Sequence, residues 1–261
     1  METWTITFSE SVENHIGMEI IGNRSTEGFL NSELLISKEK CESAGYKTEL
    51  INLYSFLPEE LKGLVKEKEV YVLVVRNGIE MLLKKERRLE KFYKEVTDTK
   101  NIVDKKAFMR GKVKNKLARY NLCYADISQQ PDYENKKGTI IDFKDVKYLE
   151  KIRKNMPLFF GEKSKNMFAE LNYYYDISKC GIGPHGDSER RKVIALRIGE
   201  PLKIHYHWYY KHSPVGEEIQ IPLDGGDIYI MSDKAVGYDW KRSIIPTLRH
   251  STGCKKYTVF K

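Results

Sequence analysis

The chain has 261 residues, 41% of them apolar, enough for a sizeable core in one large domain or two small ones. Four scattered cysteines (Cys41, Cys123, Cys180, Cys254), a longest apolar run of only 70–75 and no signal-peptide pattern in the first ten residues argue against a disulfide framework, structural zinc, a membrane span and secretion. The expected protein is soluble and intracellular, cytoplasmic or nuclear, and its net charge of +8 with a pI near 9.0 favours a polyanionic partner.

Residues 1–30 alternate apolar and polar side chains around Trp4, Ile6 and Phe8 and again near 18–21, which reads as two short strands. His15, between them, reads as an ordinary structural residue. Ser32 or Ser37 caps a helix reaching about Ala44, where Gly45 ends it. Pro58 opens a short helix that Gly63 cuts off, 70–75 is a buried strand, and Asn77-Gly78 is a turn pair. In 84–96, Leu89, Phe92, Tyr93 and Val96 fall at helical spacing. Residues 1–100 are therefore expected to form an α/β extension packed onto a domain at 101–261.

Lys105, Lys106, Arg110, Lys112, Lys114, Lys116 and Arg119 follow Asp104, and Tyr120 and Tyr124 come next. Basic side chains interleaved with aromatics suit phosphate contact and base stacking, while a charge run alone reads equally as a solvated loop. A loop through Pro131 and Gly138 leads to a short strand at 139–143, and a helix at 146–155 is stopped by Pro157. From Phe168 onward short strands are expected at 171–175, 193–198, 202–209, 218–221, 227–231, 243–248 and 257–260, each bounded by turn-forming residues. The expected class is α+β: a double-stranded β-helix, or jelly roll, with helices packed on its major sheet.

His185-Gly186-Asp187 sends two side chains from one face of an extended strand, and His250 offers a third ligand from a distant one. Two imidazoles and one carboxylate leave three positions of an octahedron open, the arrangement of non-heme Fe(II) oxygenases. Composition alone predicts about 0.9 His-X-acid pairs, so the weight lies on context: Gly181, Gly183, Pro184 and Gly186 around the pair, and a later His in a strand-like run. His205 and His207, with His212 nearby, share a strand face too, but no carboxylate or Cys follows at a helpful spacing.

The order Asn172-Tyr173-Tyr174, His185-Gly186-Asp187, Asp224-Gly225-Gly226-Asp227 with its apolar strand, and Arg249-His250 resembles the AlkB-like branch of the 2-oxoglutarate- and Fe(II)-dependent dioxygenases, over roughly 110–261. The resemblance implies an enzyme that couples oxidative decarboxylation of 2-oxoglutarate by dioxygen to hydroxylation or demethylation of a base in nucleic acid. It implies that Asn172 and Tyr174 hydrogen-bond 2-oxoglutarate, whose remote carboxylate meets a cation on the last strand, Lys261 or else Lys255. It also implies a recognition lid within 104–135 and an acid, Glu189, facing the flipped base. Arg190 would then meet phosphate or offset Glu189, and Tyr124 and Trp208 would be stacking surfaces. Two other functions are compatible with the same residues: a prolyl or lysyl hydroxylase of proteins, and a non-catalytic jelly-roll module that binds nucleic acid.

Overall fold

The computed structural model describes residues 1–84 and 86–260. In chain order its strands are β1 (Thr3–Ser9), β2 (Ser11–Glu13), β3 (Ile20–Gly22), β4 (Thr48–Asn52), β5 (Tyr71–Val75), β6 (Lys106–Met109), β7 (Lys112–Asn115) and β8 (Tyr120–Ala125). They continue with β9 (Ile140–Asp142), β10 (Phe168–Tyr174), β11 (Gly181–His185), β12 (Val193–Gly199), β13 (Ile204–Tyr210), β14 (Ser213–Ile221), β15 (Ile228–Met231) and β16 (Thr247–Gly253). The helices are α1 (Asn31–Ser43), α2 (Glu59–Lys62), α3 (Gly78–Leu83), α4 (Glu86–Asp98), α5 (Lys147–Phe160) and α6 (Lys255–Thr258).

The fold is mixed α+β. An eight-stranded sheet runs β4-β5-β15-β12-β1-β10-β8-β9, a four-stranded antiparallel sheet runs β11-β16-β13-β14, and β2-β3 and β6-β7 are separate two-stranded pairs. Strand β1 shows how sequence makes the layers. Its even positions, Trp4, Ile6 and Phe8, enter a core shared with Leu34 of α1, Leu82 of α3, Phe92 of α4 and Ile152 of α5. Its odd positions, Thr3, Thr5 and Thr7, take the other face, as the strand period of two requires. On that face Val72, Val193, Ala195, Tyr229 and Met231 of the large sheet pack against Tyr206, Trp208, Ile219 and Leu248 of the small one. The molecule is thus three layers deep: helices, large sheet, small sheet.

Several expected elements are displaced. Strand β1 pairs with both β10 and β12, so a strand from before residue 100 lies at the centre of the sheet between two strands from after it. The expected boundary at residue 100 therefore separates partners of one sheet. Helix α5 runs through Pro157 to Phe160, since that proline costs one bond near the helix end while buried Phe160 ties the last turn to the core. Residues 255–258 form a helical turn where a final strand was expected at 257–260, and the strand expected at 243–248 lies at Thr247–Gly253. Helix α3 has no counterpart among the expected elements, and the extended strand expected to carry both His185 and Asp187 is β11, which ends at His185 and leaves Asp187 just beyond it. No described helix is long and apolar enough to cross a membrane, and all four cysteines are free thiols.

Candidate metal centre

Three strands of the small sheet set the site. His185 ends β11 and is the register partner of His250 in β16, and His250 is in turn the partner of Tyr206 in β13. The two imidazoles lie with ring centroids 4.5 Å apart, and Tyr206 packs 5.6 Å from His250 on the other side. Asp187 follows the strand end, and its Oδ1 lies 3.5 Å from His185 Nε2 and 3.7 Å from His250 Nε2. One ligand atom from each residue lies within 4.8 Å of the others, so the His185, Asp187 and His250 expected from sequence do converge.

The backbone holds this geometry. His185 Nδ1 meets the Gly183 carbonyl at 2.8 Å, which turns Nε2 toward the centre, the usual orienting bond behind a metal-bound histidine. The Asp187 N–H donates to the Val236 carbonyl, and Gly186 is pressed so closely on the 232–246 segment that a Cβ there would sit 2.1 Å from the Gly237 oxygen. Behind Asp187, Arg190 Nε approaches Oδ2 at 3.9 Å while its guanidinium bonds Glu170 and Glu189.

Electrostatics favour a cation here. Burial pushes His185 down to about 4 and His250 well below the ordinary imidazole value, leaving both rings neutral with lone pairs free. Burial also drives Asp187 up to about 8 despite Arg190, so its charged form lacks a sufficient counter-ion. Two neutral imidazoles and a destabilised carboxylate are the donor set that a divalent transition metal would satisfy.

The centre opens on a cavity of about 660 Å³, within the range of ligand pockets. Its walls include Asn172 and Glu189 and, from the basic run, Arg119, together with Glu13, Glu170, Tyr229 and Trp240, which sequence reasoning missed. Glu170 had a signal, because it shares a strand face with Asn172 two residues on. His15 also lines the cavity, where burial, with Lys116 and Arg119 nearby, lowers it to about 4. Asn172 accepts from Arg119 Nε and from Asn121, and donates to Glu170. Tyr174 lies buried two residues further in on the same face, with Arg119 and Arg197 as its charged neighbours.

Other expected site residues lie elsewhere. Lys255 is exposed on α6, outside both sheets, and Lys261 lies outside the described residues. Tyr124 is 1% exposed, on the helix side of the large sheet beside Phe143, and so presents no stacking surface. Trp208 is fully buried between the sheets, its indole N–H bound to the Leu53 carbonyl. Arg190 does line the cavity, but it is 4% exposed and paired with Glu170 and Glu189, so of its two expected roles it offsets Glu189. Lys116, within the basic run, is buried against Asn14 and Asn121, whereas Lys105, Lys106, Arg110 and Lys112 are exposed. His205 pairs with Glu218 and His207 with the Gly216 carbonyl, and neither joins a metal-ligating group among the described residues.

No known protein-family profile matches the chain. It is 45% identical over 257 residues to “Uncharacterized protein R156” of Acanthamoeba polyphaga mimivirus, a match covering 98% of this chain and 97% of that one. Likeness of that extent, end to end, means that the chain belongs to the family of this mimivirus protein.

Proposed function

We propose that the protein is an Fe(II)- and 2-oxoglutarate-dependent dioxygenase that hydroxylates or demethylates a base in nucleic acid. The observation that carries this reading is the convergence of His185, Asp187 and His250 at the floor of a ligand-sized cavity. Two imidazoles and a carboxylate with open positions beside them are the facial donor set of Fe(II) oxygenases. Bound there, the metal would supply redox chemistry and coordination sites for 2-oxoglutarate and dioxygen.

The remaining work falls to the chain. The Gly183 carbonyl fixes the His185 ring, and Arg190 steadies the outer oxygen of Asp187. Asn172 and Arg119 offer polar wall to the co-substrate, while Ile182, Pro184 and Trp240 supply apolar wall. We read the two sheets as a double-stranded β-helix. From β10 to β16 the chain passes back and forth between the large and the small sheet, and β1 fills the large-sheet position between β10 and β12 that an eighth strand would take. Support for a nucleic-acid substrate comes from the exposed Lys105, Lys106, Arg110 and Lys112 on and beside the β6-β7 pair, since the chain beyond them brings Arg119 into the cavity wall.

The test is succinate release from 2-oxoglutarate with Fe(II) under air, with and without methylated single-stranded oligonucleotides. Substitution of His185, Asp187 or His250 by Ala should lower release at least about 100-fold with the fold intact by circular dichroism, a loss of about 2.7 kcal/mol of transition-state stabilisation or more. Equal release by wild type and all three variants would refute the assignment. Oligonucleotide affinity should fall steeply with salt, and stimulation by peptides alone would move the substrate to protein.

A further inference from the structure

Arg197 is the residue of this fold whose burial is least accounted for. It sits inside the apolar strand β12 between Leu196 and Ile198 and is 1% exposed. Its Nη1 donates to Thr5 Oγ1 at 2.6 Å, and its Nε has no partner. The other buried arginines hold acids: Arg153 pairs with Asp126, and Arg190 with Glu170 and Glu189. Asp227, the acid near Arg197, is committed to Arg76 at 2.5 Å and to the N–H groups of Asn77 and Asp224. A guanidinium taken out of water without a counter-charge is costly enough to mark a place made for an anion.

The position is aligned with the metal centre. Thr5 is the register partner of Asn172 on one side and of Arg197 on the other, so the three form a row across β10, β1 and β12. All three share the face turned toward the small sheet, and Asn172 is already a wall of the metal cavity. Tyr229, another wall residue, and Tyr174 are electrostatic neighbours of the guanidinium. Tyr206, which packs on His250, is fully buried with its hydroxyl unpartnered. Two unsatisfied donors, one charged, thus lie in the space between the sheets around the ligand row.

We infer that Arg197, assisted by Thr5 and Tyr206, binds the remote carboxylate of 2-oxoglutarate while the keto-acid end faces His185, Asp187 and His250. This rests on the oxygenase reading and deepens it. It replaces the lysines after His250 with a cation from the middle of the large sheet, and it makes the N-terminal strand part of the co-substrate site. Arg119 is the rival anchor. It lines the open cavity, and its Nε is already bound to Asn172.

Calorimetric titration of the full chain loaded with Mn(II), in oxygen-free buffer, decides the matter. The ligands are 2-oxoglutarate and 2-oxopentanoate, which has a methyl group in place of the remote carboxylate. Wild type should prefer the dicarboxylate by about 10–100-fold, the range of a charge-assisted hydrogen bond. Arg197→Gln should reduce that preference to about twofold or less and leave affinities for Mn(II) and 2-oxopentanoate within about twofold. Thr5→Val, the milder change, should lower the preference about 2–10-fold and decides the question if Arg197→Gln does not fold. A preference retained in both variants, or abolished by Arg119→Gln instead, overturns the assignment of Arg197 alone. Wild type that binds Mn(II) but neither keto acid overturns the oxygenase reading and this assignment with it.

Discussion

Glu13 places its carboxylate in the cavity wall, where it accepts from the Gly17 N–H at 2.6 Å and lies near Glu170 and Glu189. Burial, then those two acids, raise it to about 7 against the pull of the Gly17 bond. A carboxyl raised in this way stabilises the fold below its unfolded value, near 4.5, and loses that contribution as pH climbs to about 7. Glu13→Gln keeps an acceptor for Gly17 and removes the charge. Its Tm should therefore exceed that of wild type at pH 8 and match it near pH 4.5, in melts of metal-free protein. A Tm difference that does not vary with pH would show that the charge is not the cause.

Elements carry predictions of their own. The 232–246 segment is braced internally by the Lys234–Asp239 ion pair and held beside the site by Arg191, which pairs with Asp233 and stacks 3.6 Å from the Tyr238 ring. Gly186→Ala would drive a methyl group into the Gly237 backbone, which cannot yield as a side-chain tip would. The expected cost is about 1–3 kcal/mol in denaturant unfolding, with weaker Mn(II) binding because Asp187 moves with the clash. Unchanged metal affinity would show that the segment does not position Asp187. At this scale the sequence was partly readable. Strand β1 was legible because its alternation is strict, and His185, Asp187 and His250 stood out as a spaced donor set. Strand β11, Gly-Ile-Gly-Pro-His, has poor intrinsic strand preference and exists through its pairing with β16, which sequence alone does not display. Tyr124 and Trp208 were misplaced because aromatic side chains in strands serve core and site alike, and only the sheet face tells them apart. Arg197 did leave a trace, one charge inside an otherwise apolar run, but its meaning needed the register with Thr5 and Asn172.

At the scale of the whole molecule, β1 makes residues 1–100 and 101–261 inseparable. Its Trp4, Ile6 and Phe8 are buried in the helix-side core, each worth about 1.5–3 kcal/mol, a large part of a typical 5–15 kcal/mol stability. A fragment of residues 101–261 would also expose the facing edges of β10 and β12. It should show no cooperative thermal transition and should aggregate, whereas a sharp melt of that fragment would restore the division expected from sequence, an extension packed onto a self-contained domain at 101–261.

The same strand shapes how the protein is born. Thr3 pairs with Tyr174 and with Gly199, so β1 waits for roughly 170 to 200 further residues to be made before it has a place to lie. At translation speeds of about 5–20 residues per second the wait is roughly 10–40 s, with Trp4, Ile6 and Phe8 uncovered throughout. Such long-range closure also makes refolding slow. Yield in the cell should consequently depend on chaperones that hold nascent β1 until β12 has been made.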